Sequence, residues 1–258
     1  MKQGILVVTQ GSIHPVARRN VIDDFVGSIS DRFEDAFVLC AFTSPEVRTF
    51  LRQRDGEKMR DIRASLLHMQ MEGVTDVTVI STHVYENEGY LSMREQVSSC
   101  ANIFKSIRVA RPLLQDETDL DLFARAAHSA FAEDKKDSAL VFFLSGEKTR
   151  GNDIFESLEN KMRTYLGQDV FVSTLRGRMR MHTVLKNING SKAVLVPLSF
   201  LNKGQIGKME EEDLDAYQAS LASMNEAELD VDELCMGLGE YDEFQRLYLR
   251  HLMEAMRD

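Results

Sequence analysis

The stretch Ile5-Leu6-Val7-Val8-Thr9-Gln10-Gly11 decides the fold class, because its apolar run is typical of a strand buried on both faces. It ends in glycine and is followed by a polar turn and then by helical spacing. Leu140-Val141-Phe142-Phe143-Leu144-Ser145-Gly146 repeats this arrangement in the second half of the chain. A buried strand followed by a turn and a helix predicts a parallel α/β protein.

Outside these stretches, short β-branched runs alternate with longer segments of helical period. The predicted strands are Ile5–Gln10, Ala36–Ala41, Asp76–Thr82, Ser106–Ala110, Ala139–Leu144, Val170–Ser173 and Lys192–Pro197. The predicted helices are Val16–Arg32, Pro45–Gln53, Lys58–Glu72, Leu91–Phe104, Leu120–Glu133, Asn152–Leu166 and Tyr241–Met256. The fold class is therefore α/β, with parallel sheets flanked by helices.

A second pair of similar runs, Val77–His83 and Ala193–Ser199, indicates two related α/β halves. The charged stretch Glu133–Asp137 between them has no strong order signal. The predicted domains are an N-terminal half, 1–135, and a C-terminal half, 136–258. In this division the last helix can also pack back on the N-terminal half.

The net charge of −10 comes from one acidic segment. Met209–Leu234 holds ten carboxylates and no Lys or Arg, which leaves 31 basic and 31 acidic residues elsewhere. A charge-balanced body offers no basic face to nucleic acid and no polybasic anchor to a membrane. Neither partner is expected. We interpret the acidic segment as a solvated helix or lid.

The chain is expected to be cytosolic. Its apolar runs are far shorter than the roughly 20 residues that span a bilayer, and no secretory signal is predicted. Cys40, Cys100 and Cys235 form no CxxC pair, which argues against a zinc ribbon and a disulfide framework. No glycine-rich phosphate-binding motif occurs, which argues against a nucleotide-dependent reaction.

Ligands of parallel sheets bind beyond the carboxyl ends of the strands, so the loops there carry the function. These loops are Gln10–Pro15, Ser81–Tyr90, Leu144–Arg150, Thr174–His182 and Ser199–Lys208. At them the chain resembles the anaerobic sirohydrochlorin cobalt chelatases, a family of class II tetrapyrrole chelatases. The segments that carry the resemblance are Ile5–Ser12, Ala41–Ser44, His83–Tyr90, Arg111–Leu114, Val196–Leu198 and Gly237–Glu240.

The resemblance implies two flavodoxin-like halves with a tetrapyrrole in the cleft between them. It also implies insertion of a divalent metal, Co or Fe, into that ring, with the metal as substrate and no certain cofactor. The family holds its metal with two His and one Glu. At the matching positions this chain has Ser145, Arg176 and Gln205, which are poor metal ligands.

Arg176, Arg178 and Arg180 occupy alternate positions of one predicted turn and, with Lys203 and Lys208, form a basic rim. Arginine pairs carboxylates bidentately, and tetrapyrroles carry several of them, so the turn is a candidate substrate site. A solvated basic loop is the alternative. Gln10, Ser12, His14, Ser145 and Gln205 complete the predicted substrate-binding set.

His14, His83 and Glu88 are the candidate catalytic residues. His14 follows the first strand and could bind a ring-held metal or accept a pyrrole proton. The alternative is a turn residue with no role in function. His83, with Glu86 and Glu88, could hold a metal, or the His could be structural and the carboxylates could cap a helix. Glu147 and His182 are weaker candidates.

A chelatase with substituted metal-ligand positions is the leading prediction. The alternative is a non-catalytic carrier of haem or another tetrapyrrole, and a scaffold partner of an active homologue is a third. Assembly into a homo-oligomer is left open.

Overall fold

The computed structural model describes residues 2–146, 151–201, 218–220, 222–223, 228–234 and 236–257. The described residues divide into two compact units. Unit 1 takes in the residues up to Leu113 and those from Gln245 onward, and unit 2 takes in the residues from Leu114 to Phe244. None of the described helices combines the length and the apolar character needed to cross a membrane.

Unit 1 is built on a four-stranded parallel sheet in the order β2-β1-β3-β4. Its strands are β1 (Gln3–Thr9), β2 (Phe37–Phe42), β3 (Asp76–Ser81) and β4 (Ser106–Val109). Its helices are α1 (Pro15–Ala17), a π-helical segment (Arg18–Asp23), α2 (Asp24–Arg32), α3 (Pro45–Asp55), α4 (Ile62–Met71), α5 (Glu88–Ser98) and a 3₁₀ turn (Ala101–Ile103).

Unit 2 repeats this topology with a four-stranded parallel sheet in the order β6-β5-β7-β8. Its strands are β5 (Ala139–Leu144), β6 (Val170–Thr174), β7 (Lys192–Pro197) and β8 (Asp230–Glu233). Its helices are α6 (Glu117–Lys135), α7 (Asn152–Leu166), α8 (Met181–Leu185) and a 3₁₀ turn (Leu238–Glu240). A final helix, α9 (Asp242–Ala255), begins in unit 2, and its residues from Gln245 belong to unit 1.

The central strands β1 and β5 are fully buried along their apolar runs, as a strand covered on both faces must be. Helices on the sheet faces supply the cover, and local side chains fix where several of them begin. Ser44 accepts the amide of Val47 at 3.1 Å, and Asp116 with Asp119 forms a capping box on α6. The predicted α/β class and the internal repeat are confirmed.

The division between the units differs from the predicted one at 135/136. Helix α6 belongs to unit 2, because Phe123 and Phe131 pack edge-on against Phe142 of β5, with ring centroids 6.2 and 5.6 Å apart. In unit 1, the Tyr248 hydroxyl of α9 donates to the Thr82 carbonyl at 3.1 Å. The predicted cleft between the halves stays a prediction.

Two other elements differ from prediction. The single helix expected over Val16–Arg32 is divided by the π-helical segment Arg18–Asp23. Asp230–Glu233, interpreted as part of a solvated helix or lid, is instead the edge strand β8, parallel to β7. Its acidic side chains tolerate this position because the strand is largely exposed.

Candidate functional site

In each sheet the second and third strands lie on opposite sides of the first. Ligands of such sheets bind beyond the carboxyl ends of the strands at this point, so a crevice is predicted at the ends of β1 and β3 in unit 1. The equivalent place in unit 2 lies at the ends of β5 and β7. The Thr82 amide donates to the Val8 carbonyl at 2.9 Å, so the loops after β1 and β3 start side by side. These loops carry the predicted catalytic residues His14, His83 and Glu88.

The loop after β1 is shaped by Gly11, which has a φ of +88°. A Cβ at this position would overlap the ring of Phe42, so only glycine fits between β1 and β2. Ser12 is fully buried, and its hydroxyl accepts the His14 amide at 3.0 Å. Gln10 is exposed at the strand end. The backbone of this loop is thus fixed, while Gln10 is open to a ligand.

His14 is exposed and precedes the first residue of α1. Its side chain makes no capping hydrogen bond to that helix. This placement fits a histidine that meets a ligand at the crevice, as predicted. The role itself stays a prediction.

His83 is half-buried at the carboxyl end of β3 and packs edge-on against Tyr90, with ring centroids 5.8 Å apart. Its Nδ1 is buried and has no hydrogen-bond partner among the described residues. Its Nε2 lies beside Gly89, where a Cβ would come within 3.1 Å of it. Burial lowers the pKa of His83 from the ordinary 6.5 to about 4, so the imidazole is neutral at physiological pH. Neutral imidazole is the form that binds metals and accepts protons.

This pKa predicts a loss of stability in mild acid. Between pH 6.5 and about 4 the unfolded chain protonates His83 while the folded chain does not, so the free energy of unfolding falls as the pH is lowered through this window. The contribution of His83 is constant above and below the window. At about pH 5 the expected loss is on the order of 2 kcal/mol, measured by urea unfolding at about pH 7 and pH 5.

His83→Asn should remove that part of the pH dependence, since Asn does not titrate. His128→Ala, at an exposed position on α6, should keep it. An unchanged difference in unfolding free energy between the two pH values in His83→Asn would show that His83 does not cause it.

The carboxylates near His83 serve other contacts. Glu86 forms an ion pair with Arg94 at 3.8 Å, and Asn87, not a carboxylate, caps α5 by accepting the Tyr90 amide at 2.8 Å. Glu88 lies exposed in the first turn of α5, where a negative charge suits the helix dipole. Among the described residues no three His, Cys, Asp or Glu side chains form a group that could hold a metal ion. A three-ligand site of His83, Glu86 and Glu88 is therefore not formed.

In unit 2 the structure brings two of the three predicted ligand positions together. The Arg176 amide donates to the Ser145 carbonyl at 2.8 Å, joining the loops after β5 and β6. Gly146 has a φ of +66°, and a Cβ added at this position would lie only 2.8 Å from the Cβ of Thr174. Glycine is therefore required for the two loops to come this close. Side chains at positions 145 and 176 thus start from adjacent strand ends.

The arginine turn is held by its own contacts. Arg180 donates to the Leu175 carbonyl, and to the Arg176 carbonyl at 3.2 Å. Arg178 pairs with Asp153, and with Glu156 at 3.6 Å. Arg176 is half-buried. Arg178 and Arg180 are therefore partly committed to contacts within the protein.

Several predicted residues lie outside the described residues, namely Gln205, Glu147, Lys203 and Lys208. His182 is described and lies exposed on the short helix α8.

A basic pocket at the carboxyl end of β2 was not predicted. It is lined by Arg48, Arg52, Lys58 and Arg60 among others. The dense run of cations in this part of the sequence was the available signal. Strand ends do not indicate this pocket, because the segment that holds Lys58 and Arg60 follows a helix.

Both the sequence and the fold are similar to those of known proteins. The model of the cobalt chelatase (CbiK) family matches residues 3–257. The sirohydrochlorin cobaltochelatase of Salmonella typhimurium is 24% identical over 99% of this chain and 97% of its own length.

Two solved structures share the fold. The sirohydrochlorin chelatase SirB from Bacillus subtilis subspecies spizizenii, in complex with cobalt, has a TM-score of 0.68 and 14% identity, covering 100% of this chain and 96% of its own. CbiX, the terminal enzyme of sirohaem biosynthesis in denitrifying bacteria, has a TM-score of 0.60 and 13% identity, covering 98% of this chain and 99% of its own. At these identities the likeness concerns the fold.

Proposed function

This chain belongs to the cobalt chelatase (CbiK) family, and from that membership we propose that it inserts a divalent metal, Co²⁺ or Fe²⁺, into sirohydrochlorin or a similar tetrapyrrole. The observation that carries the proposal beyond membership is the imidazole of His83. It lies at the predicted crevice of unit 1, with a buried nitrogen that no described residue satisfies.

Metal insertion exchanges the two pyrrole N–H protons of the ring for one dication. The protein must hold the metal near the ring through a neutral donor and must take up the two protons that leave. Both tasks require an unprotonated nitrogen or a carboxylate at neutral pH. No electron is transferred in this exchange.

His83 meets the first requirement, since burial keeps its imidazole neutral. We assign it the delivery of the metal to the ring or the removal of a pyrrole proton. His14, exposed after the neighbouring strand, is proposed to share the proton transfer, with Glu88 as the carboxylate that passes protons to water.

Ring binding is assigned to the loops at the carboxyl ends of the sheets. Gln10, Ser12 and His14 lie on the loop after β1, and Ser145, Arg176 and Arg178 lie on those after β5 and β6. Of these residues, half-buried Arg176 is proposed to pair with a ring carboxylate, because charge-assisted pairs strengthen as solvent is excluded.

Arg176→Gln should weaken the binding of sirohydrochlorin about tenfold, since a charge-assisted hydrogen bond contributes on the order of 1.5 kcal/mol and roughly 1.4 kcal/mol is tenfold. Absorbance titration measures the dissociation constant. Lys192→Gln removes the same charge at the exposed start of β7, the opposite end of the strand from the loops, and should bind like the parent.

If Arg176→Gln binds like the parent, Arg176 does not hold a ring carboxylate. If the parent itself binds no tetrapyrrole, the proposed function fails. Binding without metal insertion would instead identify a carrier of haem or another tetrapyrrole. The cytosolic location and assembly into a homo-oligomer stay predictions.

A further inference from the structure

Unit 1 contains a pocket of about 450 Å³ at the carboxyl end of β2. Its walls are the first turns of α3, the start of α4 and the segment between these helices. The lining residues are Pro45, Arg48, Thr49, Arg52, Lys58, Met59, Arg60, Asp61 and Ala64. This volume lies within the range of about 300–1,000 Å³ that ligand pockets commonly have.

The pocket carries an excess of positive charge. Four cationic side chains line it against the single carboxylate of Asp61. Asp61 is itself engaged, because it accepts the Ala64 amide at 2.8 Å as the cap of α4 and lies 3.9 Å from Arg48. Among the described residues, the side chains of Arg52, Lys58 and Arg60 form no hydrogen bond or ion pair.

Nearby carboxylates are committed elsewhere and do not neutralise these cations. Asp55 pairs with Arg54 at 2.6 Å, Glu57 pairs with Arg18 at 3.2 Å, and Glu46 accepts the Ser44 hydroxyl at 2.8 Å. The positive field of the pocket is therefore left for an external anion.

Arg48 fixes the shape of the pocket. Its Nη1 donates to the Phe42 carbonyl at 2.5 Å and to the Thr43 carbonyl at 3.0 Å, which locks the guanidinium against the end of β2. The Phe42 amide donates to the Arg60 carbonyl at 2.9 Å, so the segment with Lys58 and Arg60 runs along the same strand end. The wall of the pocket is thus tied to the sheet.

Hydrogen bonds join the segments beside the pocket to the loop after β1. The Ser44 amide, one residue before the pocket wall, donates to the Gln10 carbonyl at 3.3 Å. Arg18 bridges the two loops, donating to the Ser12 carbonyl at 3.4 Å and to Glu57, next to Lys58, at 3.3 Å. The pocket and the exposed Gln10 therefore lie on neighbouring segments of unit 1.

We propose that this pocket binds carboxylate side chains of the tetrapyrrole, with Arg52, Lys58 and Arg60 as the cations that hold them. The inference rests on the proposed function, because the ring is taken to bind at the loop after β1. It assigns substrate selectivity to the pocket, which favours rings with many carboxylates over rings with few. Its cations supply the unpaired charge that Arg178 and Arg180 lack.

The test uses the full chain and the double variant Arg52→Gln/Arg60→Gln, both at exposed positions. The matched control, Lys136→Gln/Lys192→Gln, removes the same charge near the amino ends of β5 and β7. Absorbance titration with sirohydrochlorin should show about tenfold weaker binding in the pocket variant and less than about twofold change in the control. With protoporphyrin, which has few carboxylates, the pocket variant should change by less than about threefold.

If the parent binds sirohydrochlorin and the pocket variant binds it equally well, the inference is overturned while the proposed function stands. An equal loss in the control would also overturn it, because net charge alone would then explain the effect. If the parent binds no tetrapyrrole, both fail. Calorimetric titration with inorganic phosphate tests whether the pocket holds a free anion instead of ring carboxylates. If the pocket variant loses phosphate binding but binds sirohydrochlorin like the parent, the pocket is a free-anion site and the inference is overturned.

Discussion

His83→Ala is expected to lower the rate of Co²⁺ insertion into sirohydrochlorin by about a hundredfold or more. A positioned group that transfers a proton typically contributes a factor of about 10² to 10⁴ to the rate. The neutral imidazole at the end of β3, with its buried and unpartnered Nδ1, is the group to which we assign this transfer. The loss should lower kcat more than it raises KM for sirohydrochlorin, because His83 is assigned to metal delivery or proton removal and not to ring binding.

The control is His128→Ala, which removes an exposed imidazole from α6. It should keep the parent rate. Thermal unfolding of both variants checks that they fold, and sirohydrochlorin titration checks that His83→Ala still binds the ring. A folded His83→Ala that binds the ring and inserts the metal at the parent rate would remove His83 from the mechanism.

Ser145→His/Arg176→Glu is expected to raise the affinity of the ring-free protein for Co²⁺ by about a hundredfold or more. The parent should bind Co²⁺ weakly, because no three-ligand group occurs among the described residues. A unit charge about 4 Å from a dication contributes about 4 kcal/mol per charge at an effective dielectric of 20. Arg176→Glu reverses the sign of that interaction, and Ser145→His adds an imidazole from the adjacent strand end.

Isothermal calorimetry with Co²⁺ measures this gain. Arg178→Glu is the matched control, since it makes the same charge change two residues further along the turn, at a side chain paired with Asp153. It should gain far less. Equal gains in the two variants would indicate a general charge effect, and no gain in a folded double variant would mean that Ser145 and Arg176 do not stand at the family's ligand positions.

The sequence predicts the strands well because their signal is local. Ala139–Leu144 and Lys192–Pro197 are observed with their predicted bounds, since each is an apolar run flanked by polar or turn residues. Helix starts are less accurate, because caps lie outside the apolar period. Helix α5, capped by Asn87, begins at Glu88, three residues before the predicted start. Helix α4, capped by Asp61, begins at Ile62, four residues after the predicted start.

Features that depend on tertiary contacts could not be predicted in this way. Asp230–Glu233 has no strand pattern, and its extended form comes from pairing with β7. The division between the units follows the packing of α6. The Tyr165 hydroxyl of α7, for example, donates a hydrogen bond to the Asp121 carboxylate of α6 at 2.7 Å. Local spacing contains no information about either partner.

In the candidate site, too, the features with a local sequence signal are predicted, and those that depend on tertiary contacts are not. The loops that carry His14, His83 and Ser145 follow from strand ends and were predicted. The surroundings of the His83 ring depend on Tyr90 and Gly89, and the paired state of Arg178 depends on Asp153. The basic pocket forms where α3, the start of α4 and the segment between them meet. The charges of these segments can be read from the sequence, but the shape of the pocket cannot.

The most direct test of the proposed function is the initial rate of Co²⁺ or Fe²⁺ insertion into sirohydrochlorin by the unmodified protein, followed by absorbance under anaerobic conditions. We expect a rate proportional to protein concentration and well above that of the mixture without protein, together with a strong loss in His83→Ala. A rate equal to the protein-free mixture, in a preparation that binds the ring, would contradict the proposed function.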